Sequence, residues 1–140
     1  MKVFLDANIL FSGSLRGARM CHLIKILLTR AHCLTNGYAV EEARRNLALK
    51  FPESLPQLES LLAKCAMVPA SSVELEAMVK SKDMPILGGA VSGKASYLLT
   101  GDERDFGHLF GKTVQNVTVV SPRMLAEEMV RLGWIECADR

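Results

Sequence analysis

Tyr97-Leu98-Leu99-Thr100-Gly101-Asp102 decides the fold. It is an apolar run of strand length that ends in a small residue and a carboxylate. Lys2-Val3-Phe4-Leu5-Asp6 has the same form at the start of the chain, and Val117 to Val120 is a third such run. His32 to Thr35 is a further short strand that ends at the turn signal Asn36-Gly37, and Met67-Val68 is a fifth. Strands that read as continuous apolar runs, instead of alternating apolar and polar residues, are buried on both faces.

Helical patterns lie between these runs. Met20, Leu23, Ile24, Leu27 and Leu28 keep the spacing of one apolar helix face. Val40, Ala43 and Leu47 do so next, then Leu55, Leu58, Leu62 and Cys65 after Pro52. Glu74 to Lys80 reads as a short helix. Met84 to Val91 reads as another, with Asp83 as its N-cap and Pro85 in its first turn. Ser121-Pro122 opens a last helix with Leu125, Met129 and Leu132 on its buried stripe, closed by Gly133. Strands alternating with helices predict a three-layer α/β/α fold around a parallel sheet.

Composition fits one such unit. The 140 residues suit a single domain spanning 1–140, and 49% apolar content supports a real core, mostly aliphatic because aromatics are 6%. The net charge of +2 is not the excess that gripping nucleic acid through bulk charge requires. The total hides an asymmetry. Residues 1–70 carry nine basic and five acidic groups, whereas residues 71–140 carry eight and ten. Cys21, Cys33, Cys65 and Cys137 lack the close spacing of zinc or redox motifs, which suits reduced thiols in a cytoplasmic protein. No apolar run approaches the roughly 18 residues of a membrane span, so no membrane partner is expected. His22, His32 and His108 do not have the spacing of metal ligands.

Function in open α/β sheets gathers at the carboxyl ends of the strands. Asp6 and Asp102 lie there and converge if their strands are both central. Glu42 on the early turns of its helix, Asp83 at its helix start and Asp105 three residues after Asp102 are placed to join them. Ionised carboxylates crowd together only with a cation between them. An all-oxygen set selects Mg²⁺ or Mn²⁺, which serve phosphoryl chemistry. Each acid also has a plain structural reading: an Asx turn for Asp6, a helix cap for Asp83, first-turn acids for Asp102 and Asp105, a solvated face for Glu41 and Glu42. For Asp6, function outweighs it, because a charge directly after a buried strand is costly unless paired or bound.

Together these segments resemble the PIN-domain family, especially the VapC-like ribonuclease toxins. Met1 to Ser12, with Asp6, Asn8 and Ser12, is similar to the family's opening strand. Val40-Glu41-Glu42-Ala43-Arg44-Arg45-Asn46-Leu47 resembles the helix with its second acid, and Lys82-Asp83-Met84-Pro85 the start of the third-acid helix. Tyr97 to Phe106 resembles its most diagnostic element, a strand ending in Thr-x-Asp followed by Asp-Phe.

The resemblance implies a central parallel sheet of four or five strands and metal-dependent cleavage of single-stranded RNA. Asp6 and Asp102 would be metal ligands, Asp83 a ligand or the holder of metal-bound water, and Glu42, or Glu41 in the other register, the second acid. Asn8, Ser12 and Thr100 would support the carboxylates, and Asp105 would be an auxiliary acid. Arg44 and Arg45 offer phosphate contacts, with a solvated helix face as the plain alternative. In toxin members a cognate antitoxin blocks the pocket and homodimers are frequent. A second reading from another class stands beside the nuclease: a catalytically silent PIN-like module that binds RNA or protein.

Overall fold

A computed structural model describes residues 1–69 and 79–136. In chain order the elements are β1 (Lys2–Leu5), α1 (Ala7–Gly13), α2 (Arg19–Arg30), β2 (His32–Thr35), α3 (Gly37–Lys50), α4 (Leu55–Leu62), β3 (Ala66–Met67), α5 (Met84–Ser92), β4 (Tyr97–Leu99), α6 (Glu103–Phe106), β5 (Thr113–Val114), β6 (Val117–Val120) and α7 (Pro122–Arg131). The helix expected over 74–80 falls almost entirely outside the described residues, as does Cys137. Lys80 itself is extended.

The strands form one six-stranded sheet in the order β3-β2-β1-β4-β6-β5. All pairings are parallel except β5 with β6. Val3, Phe4, Leu5, Leu98 and Leu99 are fully buried, as continuous apolar strands between two helical layers require. The chain winds outward from β1 to β3 and then crosses back to start β4 on the other side of β1. The β1–β4 junction is therefore the point where strand order reverses, the place where sheets of this kind form a crevice at the strand carboxyl ends. The register pairs Leu5 with Leu99, so Asp6 and Thr100 leave the sheet side by side.

Five strands were expected and are present. The sixth, β5, was not, because its turn is Gln115-Asn116 without glycine. Both residues take positive φ, 47° and 72°, as a two-residue hairpin of this twist demands. Helix α1 was also unread. Ala7, Ile9, Leu10 and Gly13 are buried and no charged residue marks a wet face. It packs against α2, α3 and α4. The last helix starts and ends as its sequence predicts. Ser121 accepts the Met124 N–H, Gly133 turns the chain at φ 77°, and Gly133 and Trp134 donate to Val130 and Met129.

The two glycines of α5 are poor helix formers, and for Gly89 the structure supplies the reason. A Cβ there would lie 2.6 Å from Asn36 Nδ2 and 3.0 Å from the Phe4 ring. Helix α5 approaches β1 and the start of α3 at a distance only glycine permits. Gly89→Ala is expected to cost about 1–3 kcal/mol through overpacking. Chemical denaturation should show the midpoint falling, and an unchanged midpoint would mean that α5 shifts without penalty.

Candidate metal centre at the β1–β4 crevice

Asp6 is buried immediately beyond β1. Its Oδ1 accepts the Ala7 N–H at 2.6 Å and starts α1. Its Oδ2 accepts from Thr100 Oγ1 at 2.8 Å and from Asn8 Nδ2 at 3.2 Å. Thr100 Oγ1 in turn accepts the Asp102 N–H at 3.1 Å and Asn8 Nδ2 at 3.3 Å. Asn8 Oδ1 accepts the Gly101 N–H at 2.7 Å. One network thus ties the end of β1 to the end of β4 and fixes both carboxylates. Ser12 stands one turn beyond Asn8 on α1 but makes no side-chain hydrogen bond among the described residues.

Asp102 caps α6, with Oδ1 accepting the Asp105 N–H at 3.0 Å. Its plain capping role is real, but it occupies only that oxygen. Asp83 departs from expectation. It stands at the start of α5 yet makes no capping bond. A single 3₁₀ turn, 81–83, runs straight into α5, so Asp83 is already helical and lacks the extended backbone from which a side chain caps. Its carboxylate is released to the pocket. Asp83 Oδ2 is buried and has no hydrogen-bond partner among the described residues.

Asp83, Asp102 and Asp105 each bring one carboxylate oxygen within 4.8 Å of the others. Asp105 does not share their state. Lys80 Nζ lies 3.1 Å from its Oδ1 and Lys82 Nζ 3.0 Å from its Oδ2. The two ammonium groups hold the Asp105 carboxyl down at about 2. Burial pushes Asp83 up to about 6, with the charges of Asp105, Asp102 and Asp6 adding and Lys82 opposing. Burial also pushes Asp6 up to about 6, helped by Glu42 and opposed by its hydrogen bonds. Glu42 is exposed on α3 but close enough for its charge to reach Asp6.

Two residues that sequence reasoning passed over set this geometry. Thr35, buried at the end of β2, donates to the Leu5 carbonyl at 3.0 Å. Asn36 caps α3 by accepting the Ala39 N–H and donates to the Pro85 carbonyl at 3.0 Å. Asn36 thereby locks the helix of Glu42 to the helix of Asp83. Asn36-Gly37 had been read only as a turn, and an asparagine before an apolar helix is equally a cap signal. Of the two arginines, Arg44 is ion-paired to Glu59 on α4 at 2.8 Å, so it serves helix packing, while Arg45 is exposed. A cleft of about 440 Å³ lined by Gly101, Glu103, Phe110, Ser121, Pro122 and Arg123 opens beside Asp102.

The donor set fits a hard divalent cation. It is all oxygen, it holds a buried carboxylate oxygen without a partner among the described residues, and two of its acids are destabilised as anions by burial and by neighbouring carboxylates. Asp105 fits least, because a lysine ammonium lies within ion-pair distance of each of its oxygens, although its buried Oδ1, like Asp83 Oδ2, makes no hydrogen bond among the described residues.

No family model and no curated protein sequence matches the chain. Its fold is similar to that of a chain in the crystal structure of VapBC2 from Rickettsia felis bound to a DNA fragment from their promoter. The TM-score is 0.59 at 13% identity, covering 86% of this chain and 98% of that one. The likeness shows a PIN-like α/β/α fold. Among the described residues, no helix is long and apolar enough to cross a membrane.

Proposed function

We propose that this chain is a metal-dependent endoribonuclease of single-stranded RNA and the toxin of a toxin–antitoxin pair. The observation that carries the reading is the cluster of carboxylate oxygens of Asp83, Asp102 and Asp105 within 4.8 Å of one another, with Asp6 near enough for its charge to act on Asp83 and the buried Asp83 Oδ2 left without a partner among the described residues. In this reading Asp6, Asp83 and Asp102 hold Mg²⁺ or Mn²⁺, and Glu42 bounds the pocket from α3. A bound divalent cation would lower the pKa of water at the site and stabilise charge on the attacked phosphate. Thr100 and Asn8 hold Asp6 in one orientation, and the Asp105 N–H does the same for Asp102. The similar fold in a VapBC2 assembly supports an antitoxin as the partner.

Asp102→Asn tests the catalytic reading with little structural cost, because asparagine caps helices as well as aspartate does. Cleavage of a single-stranded RNA in Mn²⁺ is expected to fall about 100- to 1,000-fold, on the order of losing a main electrostatic element, while circular dichroism stays unchanged. Equal cleavage by both proteins would defeat the assignment. Thr100→Val removes the hydroxyl that orients Asp6. It should weaken Mn²⁺ affinity about 10- to 100-fold in a calorimetric titration, as loss of an orienting hydrogen bond does. An unchanged affinity would show that Asp6 needs no such support.

A further inference from the structure

Asp105 is one carboxylate with two ammonium partners. A single lysine would neutralise it, and salt bridges with one exposed partner contribute little stability. Both lysine side chains are more than 60% exposed, while the Asp105 side chain is 4% exposed. The carboxylate is the buried anchor, and the ammonium groups stand at the pocket rim. Each ammonium has three donors, more than one carboxylate oxygen engages, and both lysine side chains are open to solvent. Asp105 chiefly, and then the charges of Asp83 and Asp102, raise the Lys82 pKa, as expected of an ammonium beside these three acids.

We propose that Lys80 and Lys82, held in place by Asp105, form a phosphate-binding pair for the RNA backbone at the mouth of the acidic pocket. The inference rests on the nuclease reading and adds to it the groups that receive the substrate. It also assigns Asp105 a positioning role, separate from the metal ligands Asp6, Asp83 and Asp102. The physical need is clear. Unscreened carboxylates repel a polyanion. With a divalent cation on the other three acids, the lysine pair leaves a surplus positive charge beside them. This site lies in the acidic half of the sequence, where net charge points away from nucleic acid.

The test is RNA binding as a function of salt. A fluorescently labelled single-stranded RNA is titrated with Asp102→Asn protein, and with the same protein carrying Lys80→Gln and Lys82→Gln. Each phosphate contact on a single strand contributes about 0.7 to the slope of log K against log salt. The doubly substituted protein should lose about 1.4 from that slope. Lys82→Arg should retain the slope, because arginine keeps the charge. Wild-type cleavage in Mn²⁺ is measured alongside. If the wild type cleaves RNA but the slope is the same with and without the lysines, the lysines only secure Asp105 and the pair is overturned. If the wild type neither binds nor cleaves RNA, the nuclease reading falls and the pair falls with it.

Discussion

Saturating Mn²⁺ is expected to raise the melting temperature of the wild-type chain by about 9 °C. A ligand at about 100 times its Kd stabilises the folded state by about 2.7 kcal/mol. For a chain of this length, each kcal/mol moves the melting temperature by about 3.4 °C. The physical source is relief of crowding. Asp6 and Asp83 are strained as anions in the metal-free pocket, and a cation reverses the sign of the local field. Asp102→Asn should reduce the shift to about 2 °C or less by weakening the site. Differential scanning fluorimetry with and without Mn²⁺, at matched ionic strength, reads both. A full shift retained by Asp102→Asn would mean that the cation binds elsewhere.

The metal-free protein should become more stable as pH falls from about 7 to about 4, against the usual direction of acid denaturation. The Asp6 carboxyl stands near 6 in the folded state against an ordinary 3.8, mainly because of burial. A group raised in this way contributes stability that is complete below its unfolded pKa. That contribution is lost as pH climbs through its folded pKa. For Asp6 it is worth up to about 3 kcal/mol. Asp83 acts in the same direction. Asp105 sets the lower limit of the window. Held down near 2, it contributes stability above 3.8 that is lost as pH falls toward 2. Asp6→Asn keeps the cap on α1 and removes the buried charge. Near neutral pH it should stabilise the metal-free protein by about 1–3 kcal/mol and flatten the pH dependence. Denaturant melts of the two proteins across this range check it. Stability that falls steadily below pH 7 in both would contradict the crowded-carboxylate account.

What the residues disclosed in advance follows from how each element signals itself. β1, β2, β4 and β6 are short apolar runs, and burial on both faces leaves them no other reading. Asp6 and Asp102 are placed because each follows an apolar run at the carboxyl end of a strand, and for Asp6 the cost of a charge directly after a buried strand adds to this. Register between distant strands is not local information, so the pairing of Leu5 with Leu99 had to come from the structure. The same holds for the two lysines. Lys80 and Lys82 enter the sequence reading only as the end of one expected helix and the start of the next, and it is the fold that turns them onto Asp105. Helix α1 escaped because both of its sides are covered, which removes the amphipathic signature. Gly88-Gly89 argued for a weak helix by intrinsic preference, but tertiary approach to Phe4 and Asn36 explains the second glycine. The choice between Glu41 and Glu42 depends on which side of α3 faces β1, and Glu42 is the one whose charge raises Asp6.

The central claim is that carboxylate-held metal directs water at the RNA phosphate. The chemistry of the new ends tests it most directly. In-line attack by water that expels the 3′-oxygen leaves a 5′-phosphate and a 3′-hydroxyl, whereas attack by the RNA's own 2′-hydroxyl, which expels the 5′-oxygen, leaves a 2′,3′-cyclic phosphate and a 5′-hydroxyl. Mass spectrometry of products from wild-type protein in Mn²⁺ is predicted to show 5′-phosphate and 3′-hydroxyl ends, with no products in EDTA or from Asp102→Asn. Cyclic phosphate ends, or cleavage that persists in EDTA, would contradict it.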